Sequence, residues 1–320
     1  MKKYDICGLG NTLIDFLVNV SDQKLTDLEL KKGVFHLLES DKVHDYIDRF
    51  NPKVVPAGAV ANTLMGMAYL GSRCILIGKV GSGKYGDMYE EIITKEGVTP
   101  HLVRSKSKRT GKVLSFVTPD AERTFGVHLG AAVSLGKDSI IDEDIISSKY
   151  LYFTGYELES ITESVRHSVS VAKKNNVKIA MDLADPELIK RNMEKIKSIM
   201  KELDVIFMNE DEALSLTGFV PDDAAKEISK YVGIVVVKMG KSGSIVVSNK
   251  EVYKIKPIKV KAVDTTGAGD LYAAGFLHVL INGKSLEDAG NLGSVMGAKI
   301  VSQVGAMLSD TAKEEIQEMI

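Results

Sequence analysis

Short apolar runs alternate along the chain with segments whose apolar residues return every three or four positions. "YDICGLG" (4–10), "CILIGKV" (74–80), "YLYFTGY" (150–156), "VKIAMDL" (177–183), "VIFMN" (205–209) and "GIVVVKMG" (233–240) read as buried strands. In "DPELIKRNMEKIKSIMKEL" (185–203), Leu188, Ile189, Met193, Ile196, Met200 and Leu203 fall on one face of a predicted helix. Such alternation implies an α/β fold with a mostly parallel central sheet covered by helices on both sides. Two stretches, 15–40 and 101–130, break the rhythm. They lack a helical period in their central parts and carry turn signals at Lys32-Gly33, Thr110-Gly111 and Pro119-Asp120. They read as antiparallel strands inserted into the body. Paired, they would form a small β-sheet lid; unpaired, they would be ordinary surface hairpins. The expected division is a large domain over 1–14, 41–100 and 131–320, with a discontinuous small β lid over 15–40 and 101–130.

Bulk properties remove several alternatives. A chain of 320 residues, 44% hydrophobic and 26% charged, can bury one large core or a large and a small one. A formal net charge of −2 and the lack of a long Lys/Arg block argue against a nucleic-acid partner. No apolar run approaches the ~18 residues that cross a bilayer, and "MKKYDICGLGN" has no signal-peptide core. Cys7 and Cys74 lie in strand-like runs far from other Cys or paired His, which argues against a disulfide framework or a zinc site. A reducing, cytoplasmic setting fits this usage.

Two glycine motifs look like nucleotide loops and fail on detail. In "ILIGKVGSGKYGD" (75–87), Gly78, Gly83 and Lys84 have phosphate-loop spacing, but Tyr85 stands where a Ser or Thr hydroxyl is needed. Asp87 and Glu90 read there as a capping box, with the helix body over 88–97. Gly8-Leu9-Gly10 follows a strand, but Leu13 replaces the third glycine of a dinucleotide fingerprint.

A better anion site lies in "VKAVDTTGAGDLYAAGFLHVL" (260–280). Asp264-Thr265-Thr266 leads into Gly267-Ala268-Gly269-Asp270 and then a strongly apolar helix. Backbone N–H groups at that helix start form an anion hole suited to a transferring phosphoryl group. Asp270 can accept the proton of an attacking hydroxyl; the ordinary alternative is a first-turn Asp favoured by the helix dipole. Asn209 and Glu212 have capping-box spacing after a strand, and equally could hold a hydrated magnesium ion. Gly58, Ala59 and Ala61 beside Asn62 permit close approach of a ligand or of another helix. Asn11 and Asp15, just past the first strand, suit vicinal hydroxyls or a simple turn.

Taken together, "DTTGAGDLYAAGF", Asn209-x-x-Glu212, "GNTLID", "LKKGVFHL" and "TGKVLSFVTPDAERTF" resemble the PfkB (ribokinase-like) carbohydrate kinases over nearly the whole chain. The last three segments look most like the adenosine-kinase-like branch. The resemblance implies a three-layer α/β/α fold and transfer of the γ-phosphoryl group of ATP to a hydroxyl, usually primary, of a nucleoside or sugar. It makes Asp270 the base and the N–H groups of Gly267, Ala268 and Gly269 the anion hole, with Arg123 a lid arginine facing the phosphate. Asn209 and Glu212 then position phosphate and Mg2+, with Glu212 acting through water. Lys238, Gly240 and Gly243 approach the nucleotide, and Asn11, Asp15, Gly58 and Asn62 contact the acceptor. A potassium site would draw on Asp264, the Thr266 carbonyl, Gly305 and Ser309. A homodimer, paired through lid sheets, is compatible with the resemblance.

The departures bear on substrate. Ala57-Gly58-Ala59 stands where Gly-Gly-Ser is common in the family, and Lys238 where many members have Thr. "GKVGSGKYGD" fits the family's VG-x-D-x-x-G segment through Gly81 and Gly86; it supports the cleft, and no phosphate contact is expected from Lys84. A free-sugar kinase of ribokinase or fructokinase type is the alternative within the family. A catalytically silent sugar- or nucleotide-binding relative is the alternative outside enzymes.

Overall fold

A computed structural model describes residues 2–33, 35–50, 52–120 and 122–319. Val34 in "LKKGVFHL" and Ala121 in "DAERTF" lie outside the described residues. The strands in chain order are β1 (Tyr4–Leu9), β2 (Leu13–Asn19), β3 (Phe35–Leu37), β4 (Lys53–Ala57), β5 (Cys74–Gly81), β6 (Val98–Ser105), β7 (Gly111–Val117), β8 (Arg123–His128), β9 (Ser148–Thr154), β10 (Lys178–Asp182), β11 (Val205–Asn209), β12 (Ile234–Lys238), β13 (Ser244–Ser248) and β14 (Glu251–Ile255). All six apolar runs named from the pattern are strands of one nine-stranded sheet, ordered β14-β13-β12-β11-β10-β9-β1-β5-β6. Pairing is parallel from β6 to β12 and antiparallel at β12–β13 and β13–β14. Parallel strands need crossovers, and the helices between them cover both faces of the sheet. This is the ribokinase-like α/β architecture.

The helical face read in 185–203 is correct in composition. Helix Pro186–Met200, capped by Asp185, buries Leu188, Ile189, Ile196 and Met200, with a kink at Asn192. Leu203 is buried just beyond the helix end.

A second sheet, ordered β3-β8-β7-β2-β4, is built from the two stretches that broke the rhythm. It corrects the sequence reading in two respects. Its strands are not simply antiparallel, because β2–β7 and β3–β8 pair in parallel. It also recruits β4, which pairs antiparallel with β2, and helix Ser40–Phe50, whose Tyr46 and Phe50 pack edge-on against Phe116 of β7. The expected division puts β4 and all of this helix but Ser40 in the large domain. They join the small sheet because its outer face is apolar and must be covered. A third correction concerns 84–97. The helix spans Lys84–Lys95 with Gly83 as N-cap, so Asp87 lies in its first turn instead of capping it. Arg104, on the adjacent β6, draws Asp87 and Glu90 into ion pairs instead.

Candidate active site

Four neighbouring strands of the large sheet end together. Thr154 of β9, Asp182 of β10, Asn209 of β11 and Lys238 of β12 lie at the carboxyl edge, where open parallel sheets hold their ligands. Helix Ala268–Ile281 points its N-terminus at this edge. Its first-turn N–H groups lack intrahelical partners and carry the positive end of the dipole. The N–H of Ala268 turns to the Thr265 carbonyl at 3.2 Å, so of the three predicted donors Gly267 and Gly269 are the better placed for an anion. A Cβ on residue 269 would stand 2.9 Å from Lys238 Nζ; glycine is what lets the ammonium lie against the helix start.

Asp270 is half-buried and accepts from Asn62 Nδ2 at 2.8 Å. Burial raises its carboxyl from 3.8 to about 7; the Asn62 hydrogen bond and Lys238 pull it down, while Asp182 and Glu157 push it further up. A carboxylate titrating near neutrality suits a base that must take a proton and release it. Asn62 reaches Asp270 from helix Ala59–Tyr69, whose Thr63 hydroxyl also donates to the Asp270 carbonyl at 3.2 Å. The other Asn62 amide atom, Oδ1, is buried with no partner among the described residues, an acceptor still open to a ligand.

Around Asp270 the charges are unbalanced. Lys238 Nζ is 2.6 Å from Asp182 Oδ2 and faces Glu212 and Asp270 as well. Glu212 is almost fully buried, and burial raises it to about 7 against the pull of Lys238. Asn209 and Glu212 engage each other reciprocally: the Asn209 N–H and Nδ2 donate to the Glu212 carboxylate at 2.8 and 2.7 Å, and Asn209 Oδ1 accepts from the Glu212 N–H at 2.8 Å. The capping box is therefore real, and it holds the carboxylate at the sheet edge. Sequence reasoning missed Asp182 and Glu157. Glu157 caps the Thr154 turn and accepts from the Asn11 N–H at 2.8 Å. Thr154-x-x-Glu157 and the strand-final Asp182 were the available signals.

The remaining residues come from the small sheet and from loops of the large body. Asp15 is buried, with Ser115 Oγ donating to it at 2.7 and 2.9 Å, and burial raises its carboxyl to about 6. Asn11 Oδ1 accepts from Ser160 Oγ at 3.1 Å. Gly58, at φ +118°, lies so near the Asn11 carbonyl that a Cβ would approach it to 2.4 Å. This ties the Asn11 and Gly58 segments together. Arg123, on β8, reaches across to Asp264 in a buried ion pair, while its Nη1 is buried with no partner among the described residues. Asp264 also accepts from the Thr266 N–H at 3.0 Å and the Gly305 N–H at 2.6 Å. Asp264, Thr266 and Gly305 thus lie together, but Thr266 engages Asp264 through its N–H, whereas the expectation named its carbonyl, and the guanidinium supplies the positive charge there. Ser309 is elsewhere engaged: its hydroxyl caps helix Asp310–Gln317. Gly240 and Gly243 shape the β12–β13 turn beyond Lys238.

A proton acceptor of near-neutral pKa, set beside helix-terminal donors and the Lys238 ammonium, is the equipment of a phosphoryl-transfer enzyme. The model of the pfkB family carbohydrate kinase matches residues 28–313, and the chain belongs to this family and is a kinase. Adenosine kinase from Sinorhizobium meliloti is 29% identical, with a TM-score of 0.90 over 99% of this chain and 100% of that one. A probable sugar kinase from Rhizobium etli is 28% identical, with a TM-score of 0.92 over 100% and 99% of the two chains. A 5-dehydro-2-deoxygluconokinase from Clostridium perfringens is 28% identical over 100% of this chain and 93% of its own. The family generally uses ATP with Mg2+. Among the described residues no helix is long and apolar enough to cross a membrane.

Proposed function

We propose that the protein transfers the γ-phosphoryl group of ATP to a primary hydroxyl of a nucleoside, in the manner of an adenosine kinase. The observation that carries the chemistry is the Asn62–Asp270 pair, with the base at about 7 and, beside it, Asn62 Oδ1 with no partner among the described residues. The acceptor hydroxyl gives its proton to Asp270 as its oxygen attacks the γ-phosphorus. The bond from phosphorus to the β–γ bridging oxygen breaks, ADP leaves with that electron pair, and Asp270 later releases the proton to water. The N–H groups of Gly267 and Gly269, with Lys238, receive the phosphate charge. Arg123 Nη1, desolvated and with no partner among the described residues, is matched to an anion entering under the small sheet.

The buried carboxylates of Glu212 and Asp182 fit an ion held through its water shell, although among the described residues no three metal-ligating side chains converge. Mg2+ bound with ATP would neutralise phosphate charge. Asp264 is already satisfied by Arg123 and two N–H groups, so the arrangement gives potassium no vacant carboxylate. Asn11 and Asp15 are our candidates for holding the acceptor, supported by their burial beside the β1–β2 turn.

Relatives named for adenosine and for free sugars match this chain with comparable identity, so the acceptor is tested directly. ADP release is measured with Mg-ATP across adenosine, inosine, guanosine, cytidine, ribose, fructose and glucose. Turnover on one nucleoside, lost in Asp270→Asn, supports the proposal. Turnover confined to a free sugar replaces the acceptor but keeps the chemistry. Silence across the panel with ATP still bound rejects it.

A further inference from the structure

The glycine-rich stretch that failed as a catalytic phosphate loop borders a cavity of about 400 Å³ that the kinase reaction does not use. Its basic lining comes from His44, Lys84, Lys106, Lys108, Arg109 and Lys112. The cavity is on the opposite side of the small sheet from the acceptor residues. Asp15 stands beside Val113 in the β2–β7 register, whereas Lys112 stands beside Ile14. Side chains alternate along a strand, so Lys112 shares the face of Phe116, against which helix Ser40–Phe50 packs.

Three features make this cavity a receptor for negative charge. Lys112 is only 2% exposed, yet the contacts of its ammonium are His44 Nε2 at 2.9 Å and the face of Tyr85 at 4.9 Å. Arg109 Nη1 approaches the same His44 Nε2 at 2.8 Å. His44 Nδ1 lies 2.8 Å from the Ser40 carbonyl and so carries the ring proton, which leaves one lone pair facing two cationic donors. Such a convergence lacks an anion. None of the five lysine and arginine side chains has a carboxylate within ion-pair distance among the described residues; Asp87 and Glu90 are taken by Arg104. Asp48 is the acid whose field reaches Lys112, and it does not offset burial and Arg109, which depress the ammonium to about 8. The floor of the cavity is the uncapped start of the twelve-residue helix Lys84–Lys95, which adds first-turn N–H groups and the positive dipole end.

We propose that this cavity binds a phosphorylated small molecule, a polyphosphate anion of nucleotide size, and thereby clamps the small sheet to the large one. The volume suits such a ligand. His44 and Lys112 belong to the small sheet and its helix, Lys84 belongs to the large body, and Lys106, Lys108 and Arg109 lie on the segment joining β6 to β7. An anion contacting all three would restrain the joint between the sheets. The site stands on this geometry alone, whichever acceptor the kinase uses.

The test is calorimetric titration with inorganic tripolyphosphate at 150 mM salt, comparing the wild-type chain with Lys108→Ala/Arg109→Ala. Both positions are exposed, so the variant keeps its fold and keeps whatever the catalytic cleft binds. Two binding events are expected in the wild type, one of them weakened at least tenfold or lost in the variant. Hydrogen exchange is expected to slow across 40–50 and 105–112 on tripolyphosphate addition, in the wild type only. Superimposable isotherms, or protection confined to 264–272, would overturn the proposal.

Discussion

Replacing Asp270 by Asn should abolish turnover and stabilise the folded protein, and the two effects have one cause. Four acidic side chains, Glu157, Asp182, Glu212 and Asp270, share the sheet edge with Lys238 as the cation among them. The folded state holds the Asp270 proton up to about 7 against an ordinary value of 3.8. Below about pH 4 both folded and unfolded carboxyls are protonated, and the charge contributes nothing. Between about 4 and 7 the unfolded chain releases its proton and the folded one does not, so stability falls as pH rises and levels off above 7. The full shift would correspond to roughly 4 kcal/mol at 1.36 kcal/mol per unit; screening of a half-buried group lowers this to on the order of 1–2 kcal/mol. Asn at 270 can still accept from Asn62 Nδ2 and carries no charge. Urea unfolding of both proteins near pH 5, 6.5 and 8 should show a gain for the variant that grows with pH, while kcat falls by about 10²–10⁴-fold. Equal stability at pH 8, or a gain that shrinks with rising pH, would refute the account of why Asp270 titrates where it does.

Further outcomes follow from the same geometry. The kcat/KM of the wild type should drop about tenfold per unit as pH falls below about 7, because the base must enter ionised; a flat profile from pH 5 to 8 counts against Asp270. Arg123→Ala leaves Asp264 buried without its guanidinium, so initial-rate assays should show KM for ATP rising, and denaturation should show a loss of about 3 kcal/mol. Arg123→Lys should restore part of the stability but less of the activity, since a single ammonium cannot reach both Asp264 and the phosphate. Exchanging potassium for sodium should change the rate by less than about twofold, because Arg123 already neutralises Asp264; a larger activation would mean that the guanidinium leaves Asp264 during turnover.

The large sheet was legible because its strands are buried on both faces and read as unbroken apolar runs. The small sheet was harder. β4 is only five residues, "KVVPA", with a proline that ordinarily argues against a strand, and its pairing with β2 is decided by tertiary packing. The start of helix Lys84–Lys95 was misplaced because Asp87 and Glu90 imitate a cap while their actual partner, Arg104, is supplied by another strand. Asp270, Asn62 and Lys238 were legible from local motifs, and the structure sets them side by side. Asp182 was not, since a strand-final Asp becomes notable only when a lysine ends a strand two places away in the same sheet. The Asp264–Arg123 pair was beyond reach too: it joins residues 141 apart, and each had been assigned to a different ion.

The bond between Asn62 and Asp270 spans 208 residues of chain. Helix Ala59–Tyr69 has almost no polar face, and its Gly66 lies against Leu271 and Ala274 of helix Ala268–Ile281, which leaves the ribosome late. Until then the nascent protein must carry an open apolar seam, and the rate of its closure is set by long-range contacts. A ribosome stalled before residue 268 would expose a chain with its small sheet already synthesised and its core unfinished, a natural client for chaperones.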